Sequence, residues 1–264
     1  MESKRQYHID LCAEDIKGAK YAIVAGDPER VPGLAKAFDA SAIELTHHRG
    51  YVSYLTHCQE RPILVATLGI GGPSASIVIE ELANIGIEYF IRVGTCGSIQ
   101  PNINLGDLVI TKAAVRLDGA SKHYAPIEYP AVASFHLTEA IVNAARELQA
   151  PYHLGITAST DTFYPGQERY DNHNQYVLRS LQGSLKEWQK LNVLNFEMES
   201  ATLLTLANVF GLHAACFCGV MASRVHSETP RTDVLDLART NWEKVMVRAV
   251  ALHMKYVEDK GSML

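Results

Sequence analysis

The stretch Thr67-Leu68-Gly69-Ile70-Gly71-Gly72-Pro73-Ser74 separates two patterns of different periodicity. Before it, residues 63–68 form a short apolar run that is typical of a buried β-strand. Pro73 suits the first turn of a following helix, and Gly86 suits its C′ position. The helix is indicated by apolar residues at three- and four-residue spacing, namely Ala75, Val78, Ile79, Leu82 and Ile85. A strand, a glycine turn and a helix in this order predict a unit of parallel sheet and hence an α/β fold.

The composition of the chain bounds its size class and its partners. With 264 residues, of which 47% are hydrophobic, the chain can bury one large core, and we predict a single domain over residues 1–264. A net charge of −5 provides no basic face for nucleic acid or a membrane surface, so we expect small molecules and copies of the chain as partners. Five scattered cysteines without zinc-like spacing predict no metal site and fit a reducing cytoplasm. No apolar run approaches the roughly 18 residues of a membrane span.

The end of the first predicted strand carries groups suited to a phosphate. Residues 21–25 are β-prone and stop at Gly26-Asp27-Pro28-Glu29-Arg30, where a second helix is predicted to begin. Gly26 lets backbone N–H groups approach an anion, the helix start adds a positive dipole end, and Arg30 adds a fork of donors. An ordinary strand-to-helix turn explains these residues about equally well.

Arg92 lies inside the apolar run of residues 89–93, where a guanidinium without a partner is costly. We expect an anion to meet it, and a structural ion pair is the main alternative. Thr95 is its hydroxyl companion in a glycine-rich turn predicted over residues 94–98. Ligands of open α/β sheets lie at the carboxyl ends of strands, which is where this turn would fall. Cys96, in the same turn, has no base beside it in the sequence and is interpreted as a spectator.

The stretch Asn195-Phe196-Glu197-Met198-Glu199-Ser200 places two carboxylates around a methionine, between an apolar strand and an apolar helix. If the chain is still extended there, alternation puts both carboxylates on one side, where they suit the vicinal diol of a pentose. Met198 offers an adaptable apolar contact. Alternatively, the acidic residues only favour the first turn of the helix, and the two interpretations are about even.

Three other groups of residues suit a site by type, but the sequence around them favours a surface position. Residues 161–170 contain Phe163, Gln167 and Arg169, which suit a flat heterocycle, although Tyr-Pro-Gly is also a standard turn signal and surface coating is the stronger interpretation from these residues alone. His8 alternates with apolar neighbours and is interpreted as an edge-strand surface residue. Arg49, which follows two histidines on opposite faces of a strand, is interpreted as a surface charge.

Five stretches of the chain together resemble the nucleoside phosphorylase family that acts on purine and pyrimidine nucleosides. Each stretch is a modest signal alone, but all five occur in the family's order, and the resemblance runs from about residue 8 to the end of the predicted C-terminal helix. The stretches are Gly26-Asp27-Pro28-Glu29-Arg30, Gly69-Ile70-Gly71-Gly72-Pro73-Ser74, Arg92-Val93-Gly94-Thr95, Phe163-Tyr164-Pro165-Gly166-Gln167-Glu168-Arg169 and Phe196-Glu197-Met198-Glu199-Ser200.

The resemblance implies an α/β fold with a central mixed β-sheet flanked by helices, and a homohexamer built as a trimer of dimers whose sites are shared between subunits. It implies phosphate contacts from Gly26, Arg30, Arg92 and Thr95, with Arg49 of a neighbouring subunit. It implies ribose contacts from Glu197, Met198 and Glu199, with His8 of the neighbour. It implies uracil contacts from Gly97, Phe163, Gln167, Arg169 and Arg224. The catalytic groups among these would be Arg92, Glu199, Arg169 and Gln167.

The implied reaction is the reversible phosphorolysis of uridine, with inorganic phosphate as co-substrate and no cofactor. Purine-specific members of the family carry an acid after the last strand, whereas this chain has Ser223-Arg224. A purine nucleoside phosphorylase and a non-catalytic nucleoside-binding protein are the alternatives. Ile70 and Ser74 match a monovalent-cation site between subunits, but Gly50 replaces the acidic residue of that site, so we do not expect a bound cation.

Overall fold

The computed structural model of the chain describes residues 4–225, 227 and 232–261. The strands are β1 (Tyr21–Ala25), β2 (Ile43–His48), β3 (Tyr51–Cys58), β4 (Arg61–Thr67), β5 (Tyr89–Ser98), β6 (Leu108–Leu117), β7 (Ala131–Val132), β8 (Tyr152–Thr160), β9 (Val193–Glu197) and β10 (His213–Ser223). The α-helices are α1 (Val31–Phe38), α2 (Gly72–Asn84), α3 (Phe135–Glu147), α4 (Ser184–Lys190), α5 (Ser200–Val209) and α6 (Thr232–Gly261).

Strand β5 is the centre of a mixed sheet. It pairs in parallel with β1 and with β10, and its last two residues pair with β9 in the antiparallel sense. Because β10 continues through β6 and β8 to β9, these five strands close into a ring. On the other side of β5, the sheet extends through β1 and β4 to the antiparallel strands β3 and β2.

Helices cover both faces of this sheet, as the sequence predicts for an α/β fold. Apolar side chains of α1, α3 and α6 form one buried cluster with the sheet, and those of α2 and α5 form a second cluster on the opposite face. The predicted α/β architecture with a central mixed sheet is therefore confirmed. Among the helices that the structure describes, none combines the length and the apolar character that crossing a bilayer requires.

The structure differs from the sequence prediction at two places. At residues 94–98 a turn is expected, but strand β5 continues through Ser98. The glycines there are needed for packing inside the strand rather than for a turn. A Cβ atom at Gly94 would lie 2.1 Å from Nη1 of Arg92, and one at Gly97 would lie 3.2 Å from Cδ of Arg224. Thr95 and Gly97 are consequently strand residues.

The second difference concerns the segment around His8, which forms a turn rather than an edge strand. The alternation holds only over residues 8–11, where Ile9 and Leu11 are buried, because Tyr7, which a strand would place on the same side as these two, is 68% exposed. However, the amides of His8 and Ile9 donate to the Glu81 carboxylate on α2 instead of to a neighbouring strand. A side chain has therefore replaced the strand pairing that the alternation indicates.

Close packing of α6 on β10 generates a first prediction, that Gly219→Ala lowers the unfolding free energy by about 1–3 kcal/mol. A Cβ atom at Gly219 would lie 2.0 Å from the ring of Trp242, which is buried and donates through Nε1 to the Gly106 carbonyl at 3.2 Å. Chemical denaturation measures the effect. The control is Gly26→Ala, where the nearest atom to the added methyl is the Gly69 carbonyl oxygen at 3.4 Å, an ordinary contact distance. An equal loss in both variants would contradict the prediction.

Candidate active site

A cavity of about 380 Å³ opens at the carboxyl ends of β1, β5 and β9 and beside the last residues of β10. Most residues that the sequence analysis proposed for a site line this cavity. They are Gly26, Arg30, Arg92, Thr95, Gly97, Phe163, Gln167, Arg169, Glu197, Met198 and Glu199. The lining does not include His8, Arg49 or Arg224. These residues come from four well-separated stretches of the sequence, which thus meet in one place.

The Arg92 guanidinium lies between the two carboxylates that follow one another at the end of β9. Its Nε donates to Glu197 at 3.2 Å, and its Nη2 pairs with Glu197 at 3.1 Å and with Oε2 of Glu199. The structural ion pair considered as an alternative is therefore present. The third nitrogen, Nη1, is buried and has no hydrogen-bond partner within the described part of the chain. A further anion could accept from that nitrogen.

The two carboxylates differ in what else they hold. Glu197 accepts from the amides of Glu199 at 2.9 Å and of Ser200 at 2.9 Å, so it satisfies the first N–H groups of α5. Glu199 accepts from the amide of Gly71, the residue before α2, at 2.7 Å. The helix-start interpretation thus describes Glu197, whereas Glu199 lines the cavity, and each of its oxygens keeps an acceptor site beyond the contacts with Gly71 and Arg92.

Burial and charge shift the pKa values of these groups. Burial opposes the charge on Arg92, but the carboxylates of Glu199 and Glu197 outweigh it and raise the pKa of the guanidinium well above its ordinary value. Burial raises the pKa of the Glu199 carboxyl, and the Arg92 charge offsets only part of this effect because Glu197 acts in the same direction as burial. Arg92 therefore stays charged, and its charge is what permits carboxylates at this depth.

Arg30 provides a second positive charge at the same end of the cavity. It ends the short 3₁₀ turn after β1 and begins α1. Burial lowers the pKa of its guanidinium, and the positive charge of Arg92 lowers it further. Since two such groups repel each other, an anion between them would be favourable. Gly26 lines the same end of the cavity, and a Cβ atom there would lie 3.4 Å from the Gly69 carbonyl oxygen, an ordinary contact, so packing within the chain does not require a glycine.

The opposite wall of the cavity comes from the irregular segment between β8 and α4. Gln167 and Arg169 are 3% and 2% exposed, and the Arg169 guanidinium carbon lies 4.2 Å from the centroid of the Phe163 ring. Arg224 lies behind this wall rather than in the cavity lining, which differs from its expected contact with a base. There, Nη1 of Arg224 donates to the Gln167 carbonyl at 2.5 Å.

His8 and Arg49 lie together on the surface, away from the cavity of their own chain. Arg49 and Gly50 form the two-residue turn between β2 and β3, with φ of +52° and +82°, and this pair of left-handed residues suits a tight hairpin. Arg49 donates through Nη2 to the Tyr7 hydroxyl at 2.6 Å. His8 follows Tyr7 directly, and its Nδ1 lies 2.6 Å from Glu81.

Several contributors were not singled out from the sequence. Gly71 was noted only as part of a glycine turn, yet its amide holds Glu199. Glu168 was noted only as part of a motif, and its carboxylate holds α4. Gly71 acts through its own amide, and Glu168 binds main-chain amides outside the cavity lining, so a search for side chains that contact a ligand does not find them. Of the positions that correspond to the family's cation site, Ser74 donates its hydroxyl to the Leu68 carbonyl at 3.0 Å, and Gly50 has no side-chain oxygen.

Comparisons with known proteins agree with this geometry. The sequence model described as the phosphorylase superfamily matches residues 20–253. The chain is 47% identical to the uridine phosphorylase of Escherichia coli strain K12 over 94% of this chain and 98% of that protein. It is also 47% identical to the uridine phosphorylase of Thermococcus kodakarensis, over 94% and 88%, and 32% identical to the guanosine phosphorylase of Halorubrum lacusprofundi, over 94% and 96%. This chain is therefore a member of the phosphorylase superfamily.

Proposed function

We propose that this protein catalyses the reversible phosphorolysis of uridine to uracil and ribose 1-phosphate. The observation that carries the proposal is the single cavity in which Arg30 and Arg92, Glu199, and the Gln167–Arg169 segment form three adjoining walls. These walls suit an oxyanion, a pentose diol and a pyrimidine in turn. The similarity of the chain, over nearly its full length, to proteins named uridine phosphorylase supports the same substrate.

Phosphate is proposed to bind at the end of the cavity that holds Arg30 and Nη1 of Arg92, with Thr95 and the backbone at Gly26 beside it. Phosphate held there attacks the anomeric carbon of the nucleoside as the bond from that carbon to the base nitrogen breaks. The negative charge of the phosphate stabilises the positive charge that develops on the sugar. One preorganised donor of this kind contributes about 2.7–4 kcal/mol in comparable sites.

The ribose is proposed to lie on Met198 with its two adjacent hydroxyls donating to Glu199. The electron pair of the broken bond goes to the base, which departs as an anion. Gln167 and Arg169 face the position of the base and stabilise its carbonyl oxygens, where that negative charge collects. No covalent bond to the enzyme is required in this scheme.

The surroundings of the base favour a pyrimidine. Ser223 ends β10 and Arg224 follows it, where a purine-specific relative would carry an acid, and Arg224 donates to the Gln167 carbonyl. The wall therefore presents donors to ring carbonyl groups and offers no carboxyl group from this position to protonate a ring nitrogen.

The site is proposed to be completed by a second copy of the chain, in a cytoplasmic hexamer of three dimers. His8 and Arg49 lie on one exposed patch, joined by the contact of Arg49 with Tyr7. This patch lies outside the cavity of its own chain, and its basic groups fit a phosphate and a ribose hydroxyl in a neighbour.

Incubation of the purified protein with uridine and phosphate is expected to release uracil, because the cavity binds both substrates together. Without phosphate, uracil release should fall to background, and inosine with phosphate should react at least about tenfold more slowly. Chromatography of the released base measures all three. Equal release without phosphate would indicate a hydrolase, and faster release of hypoxanthine would indicate a purine enzyme. No base in any mixture would reject the proposal.

Substitutions at opposite walls should separate the two substrates. Arg30→Ala is expected to raise KM for phosphate by about 100-fold with little change for uridine, and Arg169→Ala should do the reverse, since each removes a charged donor to one substrate. Steady-state kinetics with each substrate varied in turn measures this. Arg92 is the poorer probe, because its removal leaves two buried carboxylates unpaired. Equal effects of both variants on both KM values would contradict the assignment.

Mixed oligomers test the shared site. Arg49→Ala and Glu199→Gln should each be nearly inactive alone, because one removes the neighbour's contribution and the other the chain's own. When the two variants are unfolded and refolded together, about a quarter of the sites carry both native residues, so about a quarter of wild-type activity should return. Wild-type protein taken through the same cycle is the control. No recovery in a mixture that assembles normally would contradict a shared site.

A further inference from the structure

We propose that Glu168 is a positioning residue for base recognition, because its carboxylate fastens the Gln167–Arg169 segment to helix α4. The proposal rests on the function proposed above, since it concerns the same substrate. Glu168 does not line the cavity, although the residues on both sides of it do. Its role is thus to act through its two neighbours rather than on the nucleoside.

The backbone at Glu168 turns the segment so that alternate side chains point in different directions. Glu168 has φ +53° and ψ +46°, a left-handed conformation that is uncommon for a residue with a long side chain. The Glu168 amide donates to the Pro165 carbonyl at 3.0 Å, and the Arg169 amide donates to the Tyr164 carbonyl at 2.8 Å. The flanking side chains face the cavity, and the Glu168 carboxylate faces α4.

The Glu168 carboxylate is held by the first residues of α4. It accepts from the amide of Gly183 at 2.5 Å and from the amide of Leu185 at 2.7 Å. Because the acceptor is ionised, these hydrogen bonds are stronger than those between neutral groups. They also satisfy amides that a helix start otherwise leaves without a partner.

Helix α4 is itself fixed against the cavity wall. Leu185 and Trp188 pack against the buried cluster that contains Phe196, which lines the cavity and directly precedes Glu197. The Gln189 side chain donates to the Ile99 carbonyl at 2.7 Å, next to the end of β5. Glu168 therefore connects the base-reading segment to the same cluster that supports the sugar-binding stretch.

The segment needs such a connection because it has little regular structure of its own. Residues 161–183 join β8 to α4 with one short 3₁₀ turn at Pro165–Gln167. Long connections of this kind are held by side-chain contacts rather than by ladders of backbone hydrogen bonds. Asn172 donates to the Arg169 carbonyl at 2.7 Å within the segment, whereas Glu168 ties the segment to a helix outside it.

The variant Glu168→Gly separates the two features of this residue. Glycine adopts the left-handed conformation without strain, so a role confined to the turn predicts unchanged kinetics. Loss of the carboxylate is instead expected to raise KM for uridine by about tenfold or more, with KM for phosphate within about twofold of wild type. Glu168→Gln, whose amide oxygen can still accept one N–H, should give a smaller increase. Glu187→Gln, an exposed carboxylate on the same helix, is the control and should match wild type.

Hydrogen exchange at the amides of Gly183 and Leu185 gives a readout that does not depend on activity. Both amides should exchange faster in Glu168→Gly than in wild type. An unchanged uridine KM in that variant, or an equal rise in both KM values, would overturn the proposal, and Glu168→Gln decides by the same criteria if the glycine variant does not fold. If wild type releases no uracil, the proposed function fails, and unchanged exchange at the two amides would then separately overturn the anchor.

Discussion

Burial of the Arg92 guanidinium against Glu197 and Glu199 is the constraint on which the rest of the cavity depends. Two carboxylates at this depth require a positive charge, and a guanidinium inside a strand requires negative ones. The charge of each group therefore stabilises the others in their buried positions. The pairing fixes β5, β9 and the start of α5 relative to one another. It leaves one buried nitrogen of Arg92 without a hydrogen-bond partner in the described part of the chain, and it keeps Arg92 and Glu199 in the lining of the cavity where substrates are proposed to meet.

Features that depend on neighbouring residues could be predicted from the sequence, whereas contacts between distant residues could not. The α/β class and most of the cavity lining follow from local signals, since glycine turns and charged residues come directly after apolar strands. The partners of Arg92 do not, because they lie 105 and 107 positions further along. The charge of Arg92 inside an apolar strand predicts that an anion lies beside it. Only the packed structure shows that Arg92 pairs with two carboxylates and also lines a cavity.

Glycine and short helices account for most of the remaining differences. Gly94 and Gly97 resemble turn residues in the sequence, yet they lie inside β5 because arginine side chains occupy the space of a Cβ atom. Helix α4 is not among the predicted helices because it is short, and in the structure its N-cap residue, Gly183, makes no side-chain cap hydrogen bond. Its start is satisfied by Glu168, fifteen or more positions earlier. In both cases a side chain from a distant part of the sequence, Arg224 beside Gly97 and Glu168 at the start of α4, determines the local structure.

The placement of β10 has a consequence for how the protein is made. This strand lies between β5 and β6, although it begins 96 positions after the end of β6 and still further after β5. A nascent chain leaves the ribosome from its N-terminus, so β5 and β6 emerge long before the strand that joins them. Until residues 213–223 arrive, both carry edges whose backbone groups await a partner and which other chains can bind. The cavity can therefore be assembled only after these residues have emerged, and until then the unfinished sheet keeps an unpaired edge that favours aggregation.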